Sequence, residues 1–371
     1  MDKFILEDEL SSITGRYVKF TERYMTPPRI NKVDKRSRFL FDNFYVISDN
    51  NPLGRFMAPA FASIKRKGAI STVEGFSVAE KPANFEHFDY TDCSFTDIDS
   101  LYEKSPVNKT AFMICVDCNN VESKDLWLDT IRKTADFASK GKNNMCVVSL
   151  LLPEFPAIPS DDITSLSERE FGYYMERKLE NPTAEQSFFV EIEKLCRNIV
   201  NDGFENINIS RVANLFGPDS CVIRNFDLEG FIKESHASGV VNITTEDQAN
   251  VISVSYIRDA FNFATQILYC GRTGHIYNFC SHSVSIAKMK QSIHESFKAS
   301  LGLKSDCENI GKINYYTLNT LKFFQCGWAQ NKNMGLKTAL YRTYCDITGE
   351  PDNNEKNIAI YAGKLPRIKD L

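Results

Sequence analysis

Residues 145–152 (Met145, Cys146, Val147, Val148, Ser149, Leu150, Leu151 and Leu152) form a strand-length run with no charge and one polar side chain. A strand of that composition must be covered on both faces, which is the situation of a central strand in a parallel sheet. Shorter strand-length runs fall at 44–47, 69–73, 111–116 and, with Asn208, Ser210 and Arg211 among the apolar residues, 207–212. Between them lie stretches with apolar residues at helical spacing, at 55–67 (closed by Gly68), 125–139 and 187–200. Strand and helix alternating through short connections predict an α/β fold, a doubly wound parallel sheet of the Rossmann type.

Beyond Phe216 the pattern breaks into short apolar pieces and turns, with helices expected at 259–268, 286–301 and 336–348. The reading is a charged N-terminal arm at 1–40, interrupted by Thr26, Pro27 and Pro28, and a Rossmann-like dinucleotide-binding domain at 41–215 with a return segment at about 249–270. A smaller mixed C-terminal domain of substrate type, partly interleaved with the first, occupies 216–371.

Composition narrows the function classes. The 371 residues are 43% hydrophobic and 25% charged, ordinary for a globular chain that can bury a large core. A formal net charge of -4 supplies no basic field for nucleic acid or an anionic membrane. No run approaches the roughly 18 apolar residues of a membrane span. The acidic start, Met1 to Leu10, lacks the layout of a signal peptide, so a cytoplasmic protein is expected. The 11 cysteines follow no disulfide rhythm. Cys115 and Cys118 spell C-x-x-C, but at the end of an apolar run and without a second pair at zinc spacing. None of the 5 histidines is paired at i, i+3 or i+4, so no metal site is expected.

Four motifs in the second half occur in a telling order. Arg211, Asn214, Gly217 and Pro218 follow a strand as R-x-x-N-x-x-G-P. Tyr256 and Asp259 open a helix as Y-x-x-D, and 274–281 with 284–286 read G-x-x-Y-N-x-x-S followed by V-S-I. Segments 321–328 and 335–338 supply L, G-W and G-L-x-T. Together they resemble extended short-chain dehydrogenases/reductases, the NAD-dependent epimerase/dehydratase kind acting on nucleotide sugars, over about residues 40–350. The arm ahead of the first strand resembles members from bacterial surface-polysaccharide pathways.

What that family needs can be checked by position. A G-x-x-G-x-x-G turn after the first strand would bring backbone N–H groups to the dinucleotide pyrophosphate. Here the turn holds Asp49, Asn50, Asn51, Pro52 and Gly54, and only Gly54 matches. Asp49 adds like charge and Pro52 lacks an N–H, while the amides of Asn50 and Asn51 could donate instead. Glu74 could hold a ribose hydroxyl, or be a solvated surface acid; Asp89 matches the aspartate beside the adenine, or is a loop acid. NAD(P) is thus the cofactor the resemblance implies, in a turn poorly made for it.

The family's acid/base is a tyrosine four residues before a lysine, whose charge lowers the phenol pKa. The tyrosine place falls on Glu185 or Gln186 and the lysine place on Phe189 or Val190. Tyr174 and Lys178 do spell Y-x-x-x-K, but about eleven residues early, ahead of Asn181 and Pro182. The expected hydroxyl after the central strand is missing, Ser149 being the nearest, and the diphosphate-clamping arginine's place holds Ile252. Asn225 matches a nucleotide-sugar contact, with Arg224 beside it as a phosphate partner.

Glycine loop, Tyr/Lys pair, hydroxyl and arginine all depart together while scaffold motifs persist. The favoured reading is a catalytically degenerate family member, acting as a nucleotide-sugar binder or as the partner subunit of an active enzyme. The resemblance implies a homodimer or heterodimer through helices at 122–140 and 184–201, although Phe188, Phe189, Ile192 and Leu195 could equally face their own sheet. The alternative is an active epimerase or dehydratase whose unorthodox acid/base is Tyr174 with Lys178, or Glu185. A third reading keeps the fold and assigns it an unrelated binding role.

Overall fold

The computed structural model describes residues 41, 43–49, 51–54, 57, 72–77, 90–92, 108–154, 165–168, 171–172, 175, 181–218, 220–224, 226–297, 300–303, 317–320, 322 and 333–350. The arm at 1–40 and most of the helix expected at 55–67 lie outside them.

The strands, in chain order, are β1 (Asn43–Ser48), β2 (Thr72–Ser77), β3 (Tyr90–Asp92), β4 (Thr110–Asp117), β5 (Met145–Leu151), β6 (Ser165–Leu166), β7 (Ile207–Val212) and β8 (Asn214–Gly217). There follow β9 (Ser220–Val222), β10 (Val240–Ile243), β11 (Val251–Tyr256), β12 (Ile276–Phe279), β13 (His282–Ser285), β14 (Ser300–Leu303) and β15 (Thr317–Leu318). Among the helices are α1 (Lys124–Ser139), α2 (Ala184–Asn201), α3 (Leu228–Ser238), α4 (Thr245–Ala249), α5 (Ile257–Cys270), α6 (Ile286–Phe297) and α7 (Leu336–Thr348).

Seven strands pair in the order β12-β7-β5-β4-β1-β2-β3, every pairing parallel. The direction of progression reverses between β1 and β4, which sets a crevice beyond their carboxyl ends. A second sheet, β13-β11-β8-β9, stands where the sequence pattern turned irregular.

Side-chain alternation along β5 shows why its run is apolar throughout. Met145, Val147 and Leu151 enter the core that holds Phe263 and Ile267 of α5. Cys146, Val148 and Leu150 enter the opposite core, with Trp127 and Ile131 of α1 and Phe188 and Ile192 of α2. Each such buried side chain stabilises by about 1.5–3 kcal/mol relative to exposure. The α5-side core does not stop at the sheet. Phe44, Val46 and Met113 share it with Ile232 of α3, Met289 and Ile293 of α6, and Leu340 and Tyr344 of α7.

Several motif residues are bolts of this scaffold. Arg211 is 1% exposed and lies against Glu193 of α2, with Nε to Oε1 at 2.5 Å and Nη2 to Oε2 at 2.7 Å. Its Nη1 donates to the Glu168 carbonyl at 2.9 Å and to Asn278 Oδ1 at 3.2 Å. Asn214 Nδ2 donates to the Ser253 carbonyl, joining β8 to β11. Gly217 has φ +144°, and a Cβ there would meet Ile257 Cγ2 at 2.5 Å, so no other residue fits without displacement. Asp259, fully buried, accepts from Arg258, from Ser281 Oγ at 3.1 Å and from the Met334 N–H at 2.9 Å. His282 Nε2 donates to the Met334 carbonyl at 2.8 Å, so Met334, two residues ahead of α7, is held through both its N–H and its carbonyl.

Two expectations need correction. The second strand runs Thr72–Ser77 rather than 69–73, in register with β1 from Asn43 to Ser48; residues 69–71 lie outside the described ones. The helix expected at 286–301 ends at Phe297, and Ser300–Leu303 is a strand parallel to β10. Ladder bonds to Val240–Ile243 override the helical spacing there.

Candidate functional site

The crevice begins at the turn after β1. Asn51 is the cap: its Oδ1 accepts the Gly54 N–H at 3.0 Å, and Pro52, Leu53 and Gly54 are helical. Pro52 therefore occupies the first helical position, where an N–H has no intrahelical partner, and its ring costs no hydrogen bond. Pro52 likewise offers no N–H to an anion at this end of the helix. Gly54 is required by packing, because a Cβ would lie 2.2 Å from Ser48 Cβ. The glycine is thus explained by the closeness of turn and strand, with or without a ligand.

Asp49 lies in the crevice, its carboxylate bound by two side-chain amides. Asn51 Nδ2 donates to Oδ1 at 2.7 Å and Asn120 Nδ2 to Oδ2 at 3.1 Å. Asn51 Nδ2 also donates to the Cys115 carbonyl at 2.7 Å, which ties the turn to β4. Burial pushes the Asp49 carboxyl above its ordinary range, opposed by the two amides and reinforced by the nearby Asp117. Asp117 in turn accepts from the Asn119 N–H at 3.0 Å.

The start of α2 forms another wall. A capping box fixes its first turn: Gln186 N–H donates to Thr183 Oγ1 at 3.3 Å, and Thr183 N–H to Gln186 Oε1 at 2.9 Å. The Glu193–Arg211 pair fixes the same helix farther along. Between these two anchors Phe189 is fully buried, edge-on to Phe171 with centroids 5.9 Å apart and 5.7 Å from the Arg211 guanidinium carbon. Gln186 is buried and donates to the Glu154 carbonyl at 2.8 Å. Val190 packs at the edge of the same core. Glu185 is partly exposed, and its carboxyl is held below the ordinary range, first by the Thr183 hydroxyl and a backbone N–H, with a smaller pull from Arg224. A carboxylate so stabilised stays ionised and cannot serve as a proton donor near neutral pH.

Arg224 reaches in from the segment after β9, its N–H held by Asn214 Oδ1 at 3.1 Å. Nη2 stands 3.6 Å from Asp117 Oδ1, an ion pair beyond hydrogen-bond length. Nε and Nη2 are buried with no hydrogen-bond acceptor, which leaves donors to be satisfied.

Other expected residues are placed elsewhere. Glu74 is inside β2, opposite Tyr45, short of the strand's carboxyl end. Ser149 is buried in β5 opposite Cys115 and Ser210, and Ile252 is buried in the core. Asn50, Asp89, Tyr174, Lys178 and Asn225 lie outside the described residues. Cys115 and Cys118 enter opposite cores, as an odd spacing on an extended chain requires, so they do not meet as a pair. Among the described residues no group of three or more His, Cys, Asp or Glu could hold a metal ion, and no helix is long and apolar enough to cross a membrane. Asp117, Asn120 and Glu193 were not singled out from sequence; only the polar string Asp117, Asn119, Asn120 after a strand could have flagged the first two.

The described residues around the first turn do not fit a dinucleotide in the usual pose. A carboxylate lies where negative charge would have to approach, and the Asn51 amide is spent within the protein. Phe188, Phe189 and Ile192 are buried in the chain's own core, while the outer side of α1 and α2 carries Arg132, Asp136, Lys194 and Arg197.

No protein-family model matches the chain, and no curated protein matches it in sequence. Solved structures do match in fold. The dTDP-glucose 4,6-dehydratase from Bacillus anthracis, in complex with NAD, superimposes with TM-score 0.61 at 12% identity, over 84% of this chain and 97% of that one. The UDP-glucose 4-epimerase from Thermotoga maritima, with UDP-glucose, gives 0.60 at 11% identity, over 83% and 99%. DesIV from Streptomyces venezuelae, a dTDP-glucose 4,6-dehydratase with NAD and DAU bound, gives 0.57 at 15%, over 84% and 98%. The chain has the fold of extended short-chain dehydrogenases/reductases.

Proposed function

We propose that this protein is a nucleotide-sugar-binding member of the epimerase/dehydratase group that does not run the group's hydride chemistry. The observation that carries the reading is the register of α2. With its first turn set by the Thr183–Gln186 box and its middle by Glu193 and Arg211, Phe189 is committed to the core and Glu185 to the crevice. Neither position supplies a phenol beside an ammonium, the pair that proton transfer coupled to hydride transfer needs.

Binding is the part of the function that the crevice supports. Arg224 carries buried, unsatisfied donors, and a guanidinium is suited to the diphosphate of a nucleotide sugar. A place in surface-polysaccharide synthesis, and pairing with an active relative, belong to the same proposal. The buried, unsatisfied donors of Arg224 make ligand binding the better-supported half of it.

The test is calorimetry with UDP-glucose and dTDP-glucose, alongside ultraviolet and mass analysis of protein purified without added cofactor. Binding of a nucleotide sugar, weakened in Arg224→Ala, with no bound NAD, is the expected result. Stoichiometric co-purified NAD, or epimerase or dehydratase turnover, overturns the reading.

A further inference from the structure

In open α/β sheets, ligands lie outside the carboxyl ends of the strands where the strand order reverses. In this sheet that place is between β1 and β4, and the chain's own side chains bridge it. Asp49, just after β1, is held by Asn51 from its own turn and by Asn120 from beyond β4. Asn51 completes the bridge with its bond to the Cys115 carbonyl and its cap on Gly54. Each polar atom of the Asn51 side chain is then in use, and one amide of Asn120 is committed.

We propose that Asp49 is a built-in anion that closes the first turn and leaves the Arg224 side of the crevice open, and that its carboxylate is the specific group turning a diphosphate-bearing dinucleotide away from the end of β1. The inference rests on the reading above that the first turn holds no dinucleotide, and it adds the residue responsible. An incoming diphosphate meets charge of its own sign at Asp49, with Asp117 adding to it from the end of β4. It must also take the amides of Asn51 and Asn120 from a carboxylate already seated on them.

This closure has a pH sense. Burial raises the Asp49 carboxyl, so acid neutralises it before an exposed aspartate. The groups around it are Asn51, Asn120, Asp117 and the buried Cys115 thiol, itself pushed far up by burial and so uncharged throughout. Protonated Asp49 no longer repels a diphosphate, and dinucleotide affinity therefore rises as pH falls.

The experiment titrates NAD calorimetrically into the full chain and into Asp49→Asn and Asp49→Gly, at neutral pH and near pH 5. The expected result is weak binding to the unaltered protein at neutral pH, tightened on the order of tenfold or more by either substitution. Acidification tightens binding to the unaltered protein and leaves the variants unchanged. Variants that fold and bind no tighter than the parent overturn the inference while leaving the proposed function standing. Should the variants not fold, the unaltered protein decides, and affinity independent of pH overturns it. Tight NAD binding by the unaltered protein at neutral pH removes instead the reading on which the inference rests.

Discussion

Placing a lysine at position 189 tests whether α2 is seated as described. Phe189 is fully buried, packed edge-on against Phe171 beside the Arg211 guanidinium. Removing a buried phenylalanine ring costs about 3–5 kcal/mol, of which the lysine methylenes recover about half. The ammonium then faces a like charge with no carboxylate to spare, since Glu193 is committed to Arg211 in bidentate fashion. Holding that lysine neutral, against an ordinary pKa near 10.4, costs about 4.6 kcal/mol at pH 7. Phe189→Lys should therefore lose about 6–7 kcal/mol, a large part of the roughly 5–15 kcal/mol that a folded domain has. Phe189→Met, apolar and flexible, should lose only about 1.5 kcal/mol. Urea denaturation followed by tryptophan fluorescence measures both, because Trp127 is buried in the same core. If the two variants fall within about 1 kcal/mol of each other, the lysine reaches the crevice and water. Position 189 would then be a site position, and the argument against proton chemistry would fail.

Arg211→Met leaves Glu193 charged and buried, so a loss of about 3–5 kcal/mol is expected in the same assay. Most of it should return in the double variant Arg211→Met with Glu193→Leu, and no recovery would deny the pairing. Gly54→Ala drives a Cβ into Ser48 and should cost about 1–3 kcal/mol, with strong coupling to Ser48→Gly in a double-mutant cycle. Additive effects would place the turn farther from β1. His282 donates to the Met334 carbonyl from a half-enclosed site, and burial holds its pKa below the ordinary histidine value of 6.5. Its folded-state pKa is depressed, so the unfolded chain takes the proton first as pH falls. Stability present above pH 6.5 then declines toward the folded-state value. The decline should flatten in His282→Gln across that window, as measured by thermal unfolding against pH; an unchanged slope would refute it.

What could be read from the sequence was what the scaffold itself demands. The run at 145–152 is apolar because both cores press on it, and Gly217 is glycine because Ile257 leaves no room for a Cβ. Arg211, Asn214 and Asp259 are legible as motif residues because each makes bonds the fold needs. The candidate site was less legible because it depends on partners far apart in sequence. Asn120 meets Asp49 and Asn51 meets the Cys115 carbonyl across the reversal of the sheet, separations that no local pattern encodes. The end of the helix at 286–297 was hidden because pairing with a distant strand decided it.

The interior shared by the sheet and by α3, α6 and α7 has a mechanical consequence. Among the described residues, parting the sheet from α3, α6 and α7 would wet Phe44, Ile232, Met289 and Leu340 together, which opposes a hinge between them. By the same token a protease cut between them should release no half that stands alone, and heat should melt the chain in one step.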